Sequence, residues 1–124
     1  MVAYKIQTAK DKKELSRLTS QVIIDEIKKT LATKNRFQLS LSGGSTPCMA
    51  YSLLREASLP WERVDILLGD ERWVSSSDES SNALMLRKTL LASGPGKGAC
   101  FHPVPTTDLK SPTESANYFS KLIA

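Results

Sequence analysis

Long hydrophobic runs, cysteine and histidine are all scarce in this 124-residue sequence. No apolar run approaches the roughly 20 residues of a membrane-spanning helix, and the N-terminus lacks the hydrophobic core of a signal peptide. We therefore expect a cytoplasmic protein without a membrane partner. Two cysteines, Cys48 and Cys100, are too few for a disulfide framework, and no HExxH motif or CxxC pair indicates a metal site.

The net charge of +4 is unevenly distributed along the chain. Residues 1–36 hold nine Lys and Arg against four Asp and Glu, a net +5, whereas the remainder holds eight against nine, a net −1. The excess is mostly lysine on one predicted helix, without an accompanying aromatic or arginine-rich pattern. We interpret it as a solvated helix face and expect no nucleic-acid partner.

Hydrophobic periodicity divides the chain into alternating strands and helices. We predict strands over 2–6, 37–41 and 64–68, and helices over about 11–33, 47–56, 82–91 and from 112 onward. The glycine-rich segment 93–98 is expected to be irregular and mobile, and the prolines of 101–105 indicate an extended edge segment. This alternation predicts an α/β fold, a Rossmann-like parallel sheet with helices on both faces.

The most informative stretch is Ser42-Gly43-Gly44-Ser45-Thr46-Pro47, which follows the apolar strand 37–41. Glycine permits positive φ and leaves no Cβ between the backbone and a ligand. Ser45 or Thr46 can cap the next helix, and Pro47 suits its first turn. Free N–H groups at the positive end of a helix dipole favour a phosphate. The alternative is an ordinary strand-to-helix turn.

A second polar stretch, Asp70-Glu71-Arg72, directly follows the strand at 64–68 and Gly69. Arg72 is suited to bidentate contact with phosphate or carboxylate. Asp70 could accept from a sugar hydroxyl, orient a partner or act as a base. The alternative is a surface ion pair at the end of a strand. Because loops leaving the carboxyl edge of a parallel sheet form its ligand crevice, we expect both stretches to face one cavity.

Other sequence features limit the classes of ligand that this site could bind. The glycine stretch lacks the Gly-Lys-Ser/Thr ending of a P-loop and the GxGxxG of a dinucleotide fold, so a small phosphorylated molecule fits better than a nucleotide. Cys48 is expected in the first turn of a helix, as a packing residue or as a thiol of lowered pKa. His102, the only histidine, is expected to have a structural or surface role.

Taken together, the two stretches resemble the 6-phosphogluconolactonase family. Ser42-Gly43-Gly44-Ser45-Thr46-Pro47 is similar to its phosphosugar-loop signature, and Gly69-Asp70-Glu71-Arg72-Trp73-Val74 to its second signature. Ser81-Asn82 and Phe101-His102-Pro103 resemble later family segments, in order. The first motif is shared with glucosamine-6-phosphate isomerases and deaminases, whereas the Asp-Glu-Arg-Trp form of the second points to the lactonase.

The resemblance implies hydrolysis of 6-phospho-D-glucono-1,5-lactone to 6-phosphogluconate in the oxidative pentose phosphate pathway, without cofactor or metal. Arg72 would help to bind this phosphorylated sugar lactone, and Asp70 would orient neighbouring groups. The residues implied to line the substrate site are Ser42, Gly43, Gly44, Ser45 and Thr46.

The family's Asp-Gly-His motif, whose histidine is taken as the base that activates water, does not occur in this sequence. Residues 1–124 are therefore expected to be the N-terminal part of a single lactonase-like domain, with the base beyond Ala124 and no catalytic base within the chain. The chain alone should then be inactive or very weak. The alternatives are a non-catalytic phosphosugar-binding fragment and a sugar-phosphate isomerase or deaminase, and the oligomeric state is left open.

Overall fold

A computed structural model describes Tyr4 and residues 6–124 of the chain. The strand predicted over 2–6 falls largely outside the described residues, and the two members that are described, Tyr4 and Ile6, are exposed and belong to no strand. Short 3₁₀ helices lie at Trp61–Arg63 and Pro95–Gly98. The helices and strands are α1 (Lys12–Leu31), β1 (Phe37–Leu41), α2 (Ser45–Leu54), β2 (Val64–Leu68), α3 (Asn82–Lys88), β3 (Cys100–Phe101) and α4 (Pro112–Ile123).

The three strands form a parallel sheet in the order β1-β2-β3. In its register Leu41 lies beside Leu68, so β1 and β2 end at the same level. The loops that follow these two strands therefore leave from one edge. The predicted α/β fold with a parallel sheet is confirmed.

One face of the sheet carries the core. Side chains alternate between the two faces of a strand, and in β2 the core side is taken by Val64, Ile66 and Leu68, each at most 5% exposed. Side chains from three helices complete this core, among them Ile27 of α1, Leu54 of α2 and Leu86 of α3.

The opposite face of the sheet is more polar. Gln38 and Ser40 of β1 and Asp65 of β2 border a cavity of about 680 Å³, whose far wall includes Leu122 and Ile123 at the end of α4. The helix layer predicted for this second face is thus represented by α4, which the cavity separates from the strands.

The prediction that 93–98 is irregular is wrong. Pro95–Gly98 form a 3₁₀ helix, and Gly96 is buried with its N–H donating to the Arg55 carbonyl at 2.9 Å. Glycine indicates a chain break when it is read locally, but at this position it allows two backbone segments to pack closely. The helix predicted over 82–91 also ends early, at Lys88, and the turn that follows carries Leu90 into the core.

Candidate functional site

The glycine turn (residues 42–47) joins β1 to α2. Gly44 is the N-cap of α2, with φ 111° and ψ 164°, and no side chain caps this helix. The prediction that Ser45 or Thr46 caps it is therefore wrong, because a backbone region open essentially to glycine alone completes the turn. Pro47 lies in the first turn of α2 as predicted. The first N–H groups of a helix have no intrahelical acceptor, so this exposed end can receive an anion.

Tyr51 anchors the start of the glycine turn. Its buried hydroxyl donates to the Ser42 carbonyl at 2.8 Å and accepts from the Ser42 N–H at 3.2 Å. Burial raises the pKa of the Tyr51 phenol, partly offset by these two hydrogen bonds. Sequence reasoning missed this residue, since a tyrosine on the apolar side of a helix is also consistent with simple packing.

Within the charged loop (residues 69–74), Glu71 has a structural role. Its carboxylate accepts from the N–H groups of Asn82 at 2.7 Å and Ala83 at 2.9 Å, and from the Ser81 hydroxyl at 3.0 Å. Burial would raise the pKa of Glu71, but these hydrogen bonds, with one from the Arg72 N–H, outweigh it and lower that pKa. Glu71 therefore fastens the loop to the start of α3.

Asp70 and Arg72, on either side of Glu71, are exposed. Neither takes part in an ion pair within the part of the chain that the structure describes. The alternative of a surface ion pair at the strand end therefore does not describe this loop. The Arg72 guanidinium is open to an anion, and Asp70 supplies an exposed carboxylate at the same sheet edge.

Asn82 lies between the glycine turn and the charged loop. Its Nδ2 donates to the backbone carbonyl and to Oδ1 of Asp70, both at 3.1 Å. On its other side the Asn82 amide packs against Gly43, where an added Cβ would lie 2.1 Å from Asn82 Oδ1. The two loops thus meet at one side chain. That they face one cavity stays a prediction, because the cavity of about 210 Å³ beside the glycine turn is lined by Ser42, Thr46 and Pro47 together with residues of α1 and α2, without the charged loop.

His102 lies in a different cluster. Its Nε2 is 3.0 Å from Asp65 Oδ1, and the same carboxylate accepts two hydrogen bonds of 2.8 Å from Arg36. Asp65 precedes Asp70 by five residues, which corresponds to roughly 16 Å of extended strand. The imidazole is therefore held near the start of β2 on the open sheet face, where it borders the cavity that Gly69 also lines, in agreement with a structural role.

Asp65→Asn should make the stability of the chain less sensitive to acid. Hydrogen bonding from Arg36, supported by His102, holds the pKa of Asp65 at about 2, below its ordinary 3.8. Because the folded pKa is the lower one, the contribution to stability is present above pH 4 and is lost as the pH falls from about 4 to about 2. We expect a loss of about 1 kcal/mol over that range, since the partner Arg36 is half-exposed.

Urea unfolding between pH 2 and pH 7 measures this contribution. The wild-type free energy of unfolding should fall more steeply below pH 4 than that of Asp65→Asn. Asp108→Asn, which changes an exposed carboxylate in a loop, serves as the matched control and should follow the wild type. Parallel curves for the wild type and Asp65→Asn would contradict the proposed pKa.

Three further features of the described residues bear on function. Among Tyr4 and 6–124, every helix is too short or too polar to cross a membrane. The same residues contain no cluster of three or more His, Cys, Asp or Glu side chains that could hold a metal ion. Cys48 and Cys100 are both free thiols of intermediate exposure.

Sequence comparison finds curated relatives that are 6-phosphogluconolactonases. A 6-phosphogluconolactonase of Nostoc sp. is 31% identical over 113 residues, which are 91% of this chain and 47% of the relative. A 6-phosphogluconolactonase of Xylella fastidiosa is 39% identical over 90 residues, 73% of this chain and 35% of the relative. The chain thus spans about half or less of the length of these curated relatives.

Comparison with solved structures finds similarity to the same group of proteins. The crystal structure of a 6-phosphogluconolactonase from Shewanella baltica superimposes with a TM-score of 0.86 at 25% identity, covering 92% of this chain and 48% of that protein. A monomeric glucosamine-6-phosphate deaminase shares the fold, with a TM-score of 0.77 at 19% identity. The family model described as glucosamine-6-phosphate isomerases/6-phosphogluconolactonase matches residues 10–124. This chain therefore belongs to the glucosamine-6-phosphate isomerase/6-phosphogluconolactonase family.

Proposed function

We propose that this chain forms the phosphosugar-binding part of a cytoplasmic 6-phosphogluconolactonase. The reaction is hydrolysis of 6-phospho-D-glucono-1,5-lactone to 6-phosphogluconate in the oxidative pentose phosphate pathway, without a metal or cofactor. One observation carries the proposal: the glycine turn and the charged loop leave the same sheet edge and meet at Asn82. The named relatives support the lactone as substrate.

In the proposed complex both loops contribute to binding of the substrate. The phosphate accepts from the N–H groups of residues 43–46 and from the hydroxyls of Ser42, Ser45 and Thr46, where the dipole of α2 favours negative charge. Arg72 adds a guanidinium that can donate two parallel hydrogen bonds to phosphate or to an oxygen of the sugar acid. Asp70 accepts from a sugar hydroxyl and so orients the ring.

Lactone hydrolysis needs one further group. Water attacks the lactone carbonyl carbon as a base takes one of its protons, and the bond from that carbon to the ring oxygen then breaks while the ring oxygen gains a proton and becomes a hydroxyl. The resemblance to the lactonase family assigns the base to the histidine of an Asp-Gly-His motif, which His102 does not match, so we place the base outside residues 1–124. General acid–base groups contribute about 10²–10⁴-fold to rate, so these 124 residues alone should bind phosphosugar but hydrolyse the lactone very weakly.

Arg72→Ala should weaken binding of 6-phosphogluconate, a stable product, by about tenfold or more because it removes a charge-assisted contact. Isothermal titration calorimetry with the 124-residue chain measures the effect. Arg17→Ala, an exposed arginine on α1, is the matched control because it changes net charge equally, and it should leave affinity unchanged. Equal losses in the two variants would show a general charge effect and contradict the site.

Two comparisons separate the alternatives. Tighter binding of glucosamine-6-phosphate than of 6-phosphogluconate would favour the isomerase or deaminase function. Freshly prepared 6-phosphogluconolactone should release acid at close to its spontaneous rate in the presence of this chain. Turnover that Arg72→Ala abolishes and His102→Ala does not would overturn the assignment of the base to residues outside the chain.

A further inference from the structure

The side-chain amide of Asn82 has a fixed orientation. Two acceptors of Asp70, its backbone carbonyl and its Oδ1, lie 3.1 Å from one terminal atom of Asn82. Only the NH₂ group can donate to both, so the other terminal atom, Oδ1, is directed at Gly43. Asn82 itself is 6% exposed, and its amide is thus committed on both sides.

Asn82 also explains why residue 43 is a glycine. The three atoms nearest to an added Cβ at this position all belong to Asn82, at 2.1, 2.6 and 3.0 Å. The φ of Gly43 lies outside the left-handed region, so its backbone does not itself require glycine. Gly44, in contrast, has open space around an added Cβ but a φ of 111°. The two adjacent glycines are needed for different reasons.

The start of α3 is held without the Asn82 side chain. Glu71 accepts from the N–H groups of Asn82 and Ala83, and Ser81 Oγ accepts from the Leu84 N–H at 3.3 Å. The N-terminal end of the helix is therefore capped by other residues. The Asn82 amide instead contacts the two loops at the sheet edge.

We propose that Asn82 is a positioning residue, whose side chain sets the distance between the phosphate-binding glycine turn and the Asp70 carboxylate. A phosphosugar spans these two groups, so one amide fixes the spacing that the ligand must match. The inference rests on the proposed function for the identity of the ligand. The contact itself rests on the geometry of Gly43, Asn82 and Asp70.

A double-mutant cycle tests the contact without any ligand. Gly43→Ala should destabilise the chain because its methyl group displaces the Asn82 amide. In the Asn82→Ala background the obstacle is absent, so the same substitution should cost less than half as much stability in urea unfolding. Strictly additive losses would show that Asn82 does not limit residue 43 and would overturn the proposal.

Asn82→Asp tests the positioning role. Aspartate keeps the shape against Gly43 but cannot donate to Asp70, and it places two carboxylates face to face. We expect the affinity for 6-phosphogluconate to fall about tenfold or more, while the affinity for inorganic phosphate stays within about twofold. Equal losses for both ligands would indicate general disruption of the site and contradict the positioning role.

Exchanging the side chains of residues 70 and 82 should restore part of the stability that Asn82→Asp loses. In Asp70→Asn/Asn82→Asp the side-chain donor and acceptor are reversed while the backbone carbonyl of residue 70 remains without its donor, so the melting temperature should recover in part relative to Asn82→Asp alone. Absence of recovery would contradict a direct contact between these two side chains. If the wild type binds neither 6-phosphogluconate nor inorganic phosphate, the proposed function is wrong. The double-mutant cycle of Gly43→Ala and Asn82→Ala needs no ligand, so it still tests whether Asn82 lies between the two loops.

Discussion

Gly96→Ala is expected to lower the free energy of unfolding by about 3 kcal/mol, the upper part of the range for overpacking a closed site. A Cβ at this position would lie 2.7 Å from the Leu90 carbonyl oxygen and 2.9 Å from Arg55 Cα. Both are backbone atoms that cannot move aside as a flexible side chain can. Gly96 also donates its N–H to Arg55, so the segment cannot retreat without losing a buried hydrogen bond.

Gly98→Ala is the matched control, two residues along the same 3₁₀ helix. Its added Cβ would approach Trp61 Cβ at 3.5 Å, an ordinary van der Waals distance, so stability should change by less than about 1 kcal/mol. Urea unfolding followed by tryptophan fluorescence suits both variants, because Trp61 is 2% exposed. Equal effects would mean that the close approach of Pro95–Gly98 to Arg55 does not exist in solution.

Gly44→Val should abolish measurable binding of 6-phosphogluconate and lower the free energy of unfolding by about 2–3 kcal/mol. An added Cβ would have Pro47 Cδ as its nearest neighbour, at 3.7 Å, so crowding is not the cause. The cost comes from φ 111°, which a β-branched residue cannot adopt without strain. Relief of that strain would turn the N–H groups at the start of α2 away from the phosphate.

Two smaller substitutions distinguish the effect of backbone strain from the effect of side-chain size. Gly44→Ala adds no branched side chain and should still destabilise, whereas Gly69→Ala at the end of β2 meets only contacts of 3.7 Å or more and should be tolerated. Calorimetric titration and urea unfolding of all three variants give both readouts. Unchanged phosphosugar affinity in Gly44→Val would show that the glycine turn is not the anion site.

Local sequence patterns predicted most helices and strands of this chain because the residues that interact in each pattern are close in sequence. Asp11 Oδ1 accepts from the Glu14 N–H at 2.8 Å and Ser111 Oγ from the Glu114 N–H at 3.2 Å, so the helices predicted from about 11 and from 112 begin where expected. The branched apolar run of β2 likewise predicted a strand with the bounds observed. These signals depend on residues within one turn or one strand.

The same locality explains the errors at glycine. A run such as 93–98 contains nothing that indicates whether a neighbouring segment will approach it, and the neighbour, Arg55, lies about forty residues earlier in the chain. The N-cap of α2 was misplaced for a related reason. Ser45 and Thr46 have good intrinsic capping propensity, but the φ of Gly44 had already completed the turn.

The sequence by itself determined the α/β class, the order of elements from α1 onward and the two loops that carry the candidate site. Only the tertiary structure showed that three neighbouring charged residues have different roles. Glu71 holds the charged loop to the start of α3 by hydrogen bonds, while Asp70 and Arg72 remain exposed at the sheet edge. The tertiary structure also placed Asn82 between loops that are about thirty residues apart in sequence, and paired His102 with Asp65. Such contacts form only when strands align in the sheet, so no local pattern encodes them.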